Sequence, residues 1–206
     1  MKAKLFIVSL LAVHCVFSQW STSTNAEEAL FVCPGFNQGI LTFDDGSSTI
    51  YGLLDEYLYV QKLDPYGYKV WQQPVEVFNT PGSNSSGTQV GMLSDGNGGV
   101  YLWWADRRGA ELGQFGYFNN AVYMQYVDKN GQKKWQEGGI QLAPVEGGLK
   151  GGTGVIDGQS GIILYMKESD FLRTGSSKKE RTWLVIMQAD KRNGSTQLIH
   201  QVFNIH

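Results

Sequence analysis

Cysteine, histidine and proline are scarce in this chain, with two, three and five among 206 residues. The cysteines, Cys15 and Cys33, lie on either side of an expected cleavage point, so the processed chain keeps one thiol and cannot close an internal disulfide. Of the histidines, His14 falls in the leader, and His200 and His206 fall in the last few residues. Cys33 and the serines are therefore left without a well-placed base, which argues against nucleophilic catalysis. Charge of one sign is missing as well. A formal net charge of −2 and a pI of about 5.9 supply no basic field for nucleic acid, and the one basic cluster, Lys178, Lys179 and Arg181, reads as a solvated loop tip.

Long apolar runs are absent too. Residues 5–17 follow Lys2 and Lys4, but the run is shorter than the roughly 20 residues of a spanning helix, and His14 interrupts it. Val16 and Ser18 stand at −3 and −1 before Gln19, so residues 1–18 are expected to be a cleaved signal peptide and residues 19–206 the folded domain. The chain is then secreted or held at the cell surface, with no membrane span after cleavage. His14 beside Cys15 is too bulky and polar for a lipidation site.

Glycine, by contrast, is abundant at 26 residues, and 42% apolar with 13% aromatic content is enough for a core. Helical periodicity is lacking, and the expected class is all-β. The most informative stretch runs from Ser94 to Arg108. Asp95-Gly96-Asn97-Gly98-Gly99 supplies a turn, and the β-branched and aromatic run Val100–Trp104 supplies a strand. Val100, Leu102 and Trp104 point one way and Tyr101 and Trp103 the other, so this strand is expected to be covered on both faces.

Weaker copies flank it. Asp64, Asp128 and Asp190 each follow a strand, preceded by Gln61, Gln125 and Gln188 and followed by Gly67, Gly131 and Gly194. Trp71 and Trp135 stand seven places after the first two aspartates, and Gln197 takes that place after the third. Asp45-Gly46, Asp95-Gly96 and Asp157-Gly158 each open an apolar strand closed by an acid, Asp55, Asp106 or Glu168. A unit of strand, Asp-Gly turn, strand, loop, strand, Asp-x-x-Gly turn and a last strand carrying tryptophan makes an up-and-down antiparallel sheet, with Tyr59, Tyr123 and Ile186 at one shared place. The expected architecture is a partial β-propeller of about three four-stranded units, roughly 30–80, 81–145 and 146–206, or alternatively a β-sandwich-like stack of the same sheets.

Gln19-Trp20-Ser21, Val32-Cys33-Pro34-Gly35 with Gln38, the Ser-Asp-Gly-x-Gly-Gly strand ending Trp104-Ala105-Asp106-Arg107, and Tyr59–Asp64 with Gly67 and Trp71 resemble the repeats of secreted bacterial β-propeller-like proteins of the Bacteroidetes type. The resemblance implies a fold and an extracellular address, and no defined activity. Two departures stand out: three units where closed propellers have at least four, and no sorting domain after His206. Open sheet edges then call for an explanation: a shortened reading frame, which is preferred, self-association, or strands supplied by residues 20–40.

The long connections between second and third strands, 107–119 and 169–181, are the most function-like feature, against a two-residue link, Asp55-Glu56, in the first unit. Arg107, Arg108, Phe115, Tyr117, Phe118, Phe171 and Arg173 offer aromatic platforms and guanidinium donors suited to a glycan or a surface protein. The expected function is a non-catalytic binding module, with a propeller-type glycosidase or lyase and a fragment without autonomous function as the alternatives. No cofactor, metal or catalytic residue is expected. The Asp95–Gly99 loop lacks the glycine and the bidentate glutamate of a calcium loop, because Val100 and Asp106 stand there.

Overall fold

The computed structural model describes residues 38–54, 57–79, 90–106, 108, 121–142, 148–157, 161–169, 180–190 and 197–205. The signal peptide assigned to residues 1–18 lies outside them. The described residues form three antiparallel sheets and no helix. The first contains β1 (Gln38–Thr42), β2 (Ser48–Leu54), β3 (Tyr57–Leu63) and β4 (Val75–Asn79). The second contains β5 (Val90–Ser94), β6 (Val100–Asp106), β7 (Ala121–Val127) and β8 (Ile140–Gln141). The third contains β9 (Gly148–Ile156), β10 (Ile162–Ser169), β11 (Glu180–Asp190) and β12 (Gln197–Ile205). Each is a meander in which sequence neighbours pair, so every ladder forms between strands close in the chain.

The second sheet is the middle layer. On one side Leu102, Trp104 and Val127 meet Leu53, Val60 and Phe78 of the first sheet, and the Trp104 and Phe78 rings stack 4.7 Å apart. On the other, Trp103, Met124 and Leu142 meet Leu164, Met166 and Val185 of the third. β6 is thus buried on both faces, as its unbroken apolar run demands, and each fully buried aliphatic side chain contributes about 1.5–3 kcal/mol. A sandwich-like stack of the sheets fits this arrangement. Between sheets the closest approaches favour the first strands, with β1 against β5 and β5 against β9.

The two joints are built alike. Tyr51 on β2 donates its hydroxyl to Val90 O on the next sheet's first strand at 3.1 Å, and Trp103 on β6 donates Nε1 to Gly152 O at the same distance. The ladder registers make these equivalent. Ser48, Val100 and Ile162 open the second strands, so Tyr51 matches Trp103, and the pairs Ile40↔Ile50, Met92↔Leu102 and Gly154↔Leu164 match Gln38, Val90 and Gly152. Opposite each donor ring is a glycine. A Cβ on Gly39 would sit 2.3 Å from the Tyr51 ring, and one on Gly91 would sit 2.0 Å from the Trp103 ring. Each ring lies across its own neighbouring strand on the way to the next sheet.

Several landmarks shift from their expected places. In the first turn Phe43 N–H donates to Ser47 O, where the second turn has Asp95 N–H donating to Gly99 O. Asp45-Gly46 therefore matches Asn97-Gly98, with φ of 81° and 89° at the two glycines, and not Asp95-Gly96. By the same register Asp106 and Glu168 coincide, but Leu54 and not Asp55 stands with them. Trp71 and Trp135 lie in the segments before β4 and β8 and not on the last strands. Ser169 and Arg181 belong to β10 and β11, so the third connection is 170–179.

The third sheet differs most. Tyr59 and Tyr123 do share a place, opposite Gly52 and Trp104, but the residue matching them is Trp183, and Ile186 lies three residues further on. The cause is an unbroken ladder. In the first two sheets pairing closes through Leu63↔Lys69 and Val127↔Lys133 and is then interrupted before β4 and β8, whereas β11 and β12 pair continuously from Thr182↔Ile205 to Asp190↔Gln197. Gln188 and Asp190 are consequently ladder residues and not turn residues.

Candidate functional site

The two ends of the stack are built differently. At one end every described connection within a sheet is a tight turn spanning residue i to i+4. Asp64, Asp95, Asp128 and Asp157 each donate their N–H to the carbonyl of residue i+4. Oδ1 of each then accepts the N–H of residue i+4, and Oδ1 of the first three also accepts that of residue i+2, at 2.7–2.9 Å. Aspartate is selected because its short carboxylate reaches two residues ahead along its own backbone. Burial raises the Asp128 carboxyl, but the Lys134 hydrogen bond and the Gln132 and Asn130 N–H groups outweigh it and leave it below the usual carboxylate range. Asp45 is lowered too, first by the Ser47 hydroxyl and then by the Ser47 N–H.

These turns also carry contacts between sheets. Lys62 Nζ donates to Gly98 O at 2.8 Å, and Trp71 Nε1 donates to Lys129 O at 3.1 Å while its ring packs on Gly131. The turn ends of the first two sheets therefore lie together. The opposite end carries the connections 55–56, 80–89, 107–120, 143–147 and 170–179, whose lengths vary widely, while the β11–β12 connection, 191–196, is at the turn end and outside the described residues.

Within the second sheet the turn end encloses a polar and aromatic cluster that sequence patterning did not single out. Tyr126 donates its hydroxyl to Asp95 Oδ2 at 2.6 Å, and its ring stacks on Tyr101 at 4.8 Å, with Trp135 beside both. Burial, followed by the Asp95 hydrogen bond, pushes the Tyr126 phenol far above its ordinary value. Burial, followed by the Asp95 charge, pushes Tyr101 up to about 12. Trp135 Nε1 is buried and finds no acceptor among the described residues, unlike its counterpart in Trp71. With Oδ1 on backbone N–H groups and Oδ2 on a phenol, Asp95 is a structural acceptor. Tyr126 holds the place that Lys62 holds in the first sheet, but it reaches back across one strand to its own sheet's turn, where Lys62 donates to the next sheet's turn.

The buried glutamines have a separate task. Gln125 Oε1 accepts the N–H of Tyr126 and of Trp135 at 3.0 and 3.1 Å, and Nε2 donates to Gln136 O at 3.0 Å. Gln61 likewise accepts Lys62 N–H and donates to Trp71 O. In both sheets the amide stands in for the strand partner lost where the ladder is interrupted. Val185 occupies this position in the third sheet, where nothing is interrupted.

Of the predicted ligand-contacting residues, Arg107, Phe115, Tyr117, Phe118, Phe171 and Arg173 lie outside the described residues. Arg108 lies within them. Its guanidinium sits 3.8 Å from the Tyr123 ring centroid, and Nη1 donates to Gly138 O at 2.8 Å, tying the start of the second sheet's long connection to the segment before β8. Among the described residues no group of three or more His, Cys, Asp or Glu side chains is placed to hold a metal ion. No protein-family model and no curated protein matches the sequence.

Proposed function

We propose that the chain is a secreted, non-catalytic binding module, a partial β-propeller whose ligand, a glycan or a surface protein, is met by the connections 107–120 and 170–179. The observation that carries the reading is the asymmetry between the two ends. Among the described residues one end is closed by turns of one length, four of them opened by aspartate and those of the first two sheets bonded to each other, and the other end carries connections of widely different length. A scaffold fixed at one end and free to vary at the other is how binding loops are held. The propeller form draws support from two features: neighbouring first strands approach one another, and the two joints use equivalent residues. Asp95, Asp128 and Asp64, whose oxygens are taken up by turn N–H groups, favour binding over acid–base chemistry.

The test is a glycan array and a surface-protein pull-down with Tyr117, Phe118 and Arg173 replaced by alanine. If these side chains serve the ligand and not the core, binding should be lost with the thermal midpoint within a few °C of the parent, since substitutions outside the core change stability by under about 0.5 kcal/mol each. Binding that survives all three replacements places the site elsewhere. Turnover of a chromogenic glycoside panel refutes the non-catalytic assignment.

A further inference from the structure

The two internal joints each use one donor and one acceptor, and the stack ends with one of each left over. The donor position is Tyr51, Trp103 and, by register, Tyr165 on β10. The acceptor carbonyl is that of Val90, Gly152 and, by register, Gln38 on β1. Tyr51 meets Val90 and Trp103 meets Gly152. Tyr165 is 40% exposed and its hydroxyl has no partner among the described residues, at one end of the stack; Gln38 stands at the other.

Most side chains around these two positions match as well, although Thr153 stands opposite Tyr165 where Gly39 and Gly91 face the other two donors. Beside Tyr165, Val155 is 58% exposed and Ile163 half-buried, in the places that Leu93 and Tyr101 fill at the joint between the second and third sheets. Beside Gln38, Ile40 is 60% exposed with Ile50 and Tyr59 half-buried, in the places of Met92, Leu102 and Tyr123 at the joint between the first and second. What the described residues leave exposed is thus a sheet face at each end, more than a sheet edge. Each is one half of an interface the chain already builds twice, and exposed apolar faces of this kind mark association surfaces.

We propose that these faces join in a second copy of the chain, the third sheet of one copy packing on the first sheet of the other, with Tyr165 donating to Gln38 O across the joint. A molecule that presents both halves is this chain itself, so the contact is head-to-tail, and head-to-tail contacts either close into a ring or run on as a filament. Whole copies contribute three sheets each, and propellers close with roughly four to eight blades. Six is the one multiple of three in that range, so the closed form is a pair. The joint rests on the repeated donor and acceptor positions; the closure at two copies rests also on the propeller reading above.

The test is the solution mass of the full chain by light scattering, alone and as the variants Tyr165→Arg and Ile40→Arg, with circular dichroism to verify that each variant is folded. The parent should have twice the mass of one chain, and each variant the mass of one. Mixing the two variants should restore a two-chain species, because one joint between them then pairs two unaltered faces. A single-chain mass for the parent, a pair that survives either substitution, or a mixture that stays single-chain overturns the joint. An assembly of three or more copies that both substitutions dissolve overturns the closed pair. Loss of glycan binding in the loop variants above with the two-chain mass unchanged would keep the two proposals distinct.

Discussion

Replacing Gln125 with leucine should destabilise the protein by about 3 kcal/mol although it swaps a buried polar residue for an apolar one of similar size. The amide is fully buried and satisfies the N–H of Tyr126 and the N–H of Trp135, two backbone groups with no ladder partner, and it also donates to the Gln136 carbonyl, which keeps the Gly139 N–H in any case. Leaving a buried backbone group unpaired costs about 1–3 kcal/mol. Two groups give a range of roughly 2–6, reduced because Trp135 lies near enough to solvent for water to replace part of the loss, and because leucine gains about 1 kcal/mol of apolar burial. For a chain of this length about 3 kcal/mol lowers the thermal midpoint by roughly 6–12 °C. The converse change, Val185→Gln, should also be destabilising, because an amide buried beside a continuous ladder finds no free partner. Urea and thermal unfolding of both variants check this. A Gln125→Leu protein within about 0.5 kcal/mol of the parent would refute the view that the amide replaces a missing strand.

Trp103→Phe removes the hydrogen bond to Gly152 O while keeping most of the ring, and should cost about 1–2 kcal/mol; Gly91→Val, which drives a side chain into that ring, should cost more, as urea midpoints will show. Tyr101 and Tyr126 hold their protons above the ordinary phenol range, so their contribution to stability is complete below about pH 10 and is lost as pH rises through their folded values; ultraviolet titration should show these two among the late phenols, with Tyr51 and Tyr59 also raised, and unfolding on the same limb, and Tyr126→Phe should remove one of the late phenols. Asp128 is shifted the other way, so its contribution is present above about pH 4 and is lost as pH falls through its lowered value; Lys134→Ala should shrink the difference in urea midpoint between pH 7 and pH 3.

Strand identity was legible because each strand carries a β-branched and aromatic run bounded by glycine or aspartate, and β3 falls on Tyr57–Leu63 where the pattern puts it. Register between units was less so. A fixed Gln-to-Asp spacing aligns the first two sheets because both interrupt the ladder in the same way, but it misplaces the third, where a continuous ladder moves Val185 into the glutamine's position. Asp-Gly misled in a similar fashion: Gly46 and Gly98 share a positive φ at one place, yet the sequence pairs Asp45-Gly46 with Asp95-Gly96 by composition. The Asp95–Tyr126 bond was invisible because it joins residues 31 apart whose approach depends on a register that periodicity cannot supply. For the candidate site, the sequence marked which connections are long, and the ladders show that they leave from the end opposite the aspartate turns.

That division between ends makes a prediction about insertions. The turn Asp128–Gln132 is at once a hairpin closure, a carboxylate-anchored loop and a landing site for the first sheet, through Trp71 Nε1 on Lys129 O and the Trp71 ring on Gly131. Inserting Gly-Ser-Gly between Asn130 and Gly131 moves Gln132 beyond the reach of Asp128 and withdraws Lys129 and Gly131 from Trp71. Two or three hydrogen bonds at about 1 kcal/mol each, with the packing of one tryptophan face, come to roughly 3–5 kcal/mol. The same insertion between residues 55 and 56 lengthens the link from β2 to β3 at the end opposite the aspartate turns, and its expected cost is the closure entropy of a longer loop, on the order of 1 kcal/mol. Chemical denaturation of the two insertion variants should therefore separate by about 2–4 kcal/mol in favour of the 55–56 variant. Equal stability would mean that the aspartate turns do not couple neighbouring sheets, and the contrast between a fixed end and a variable end would lose its physical basis.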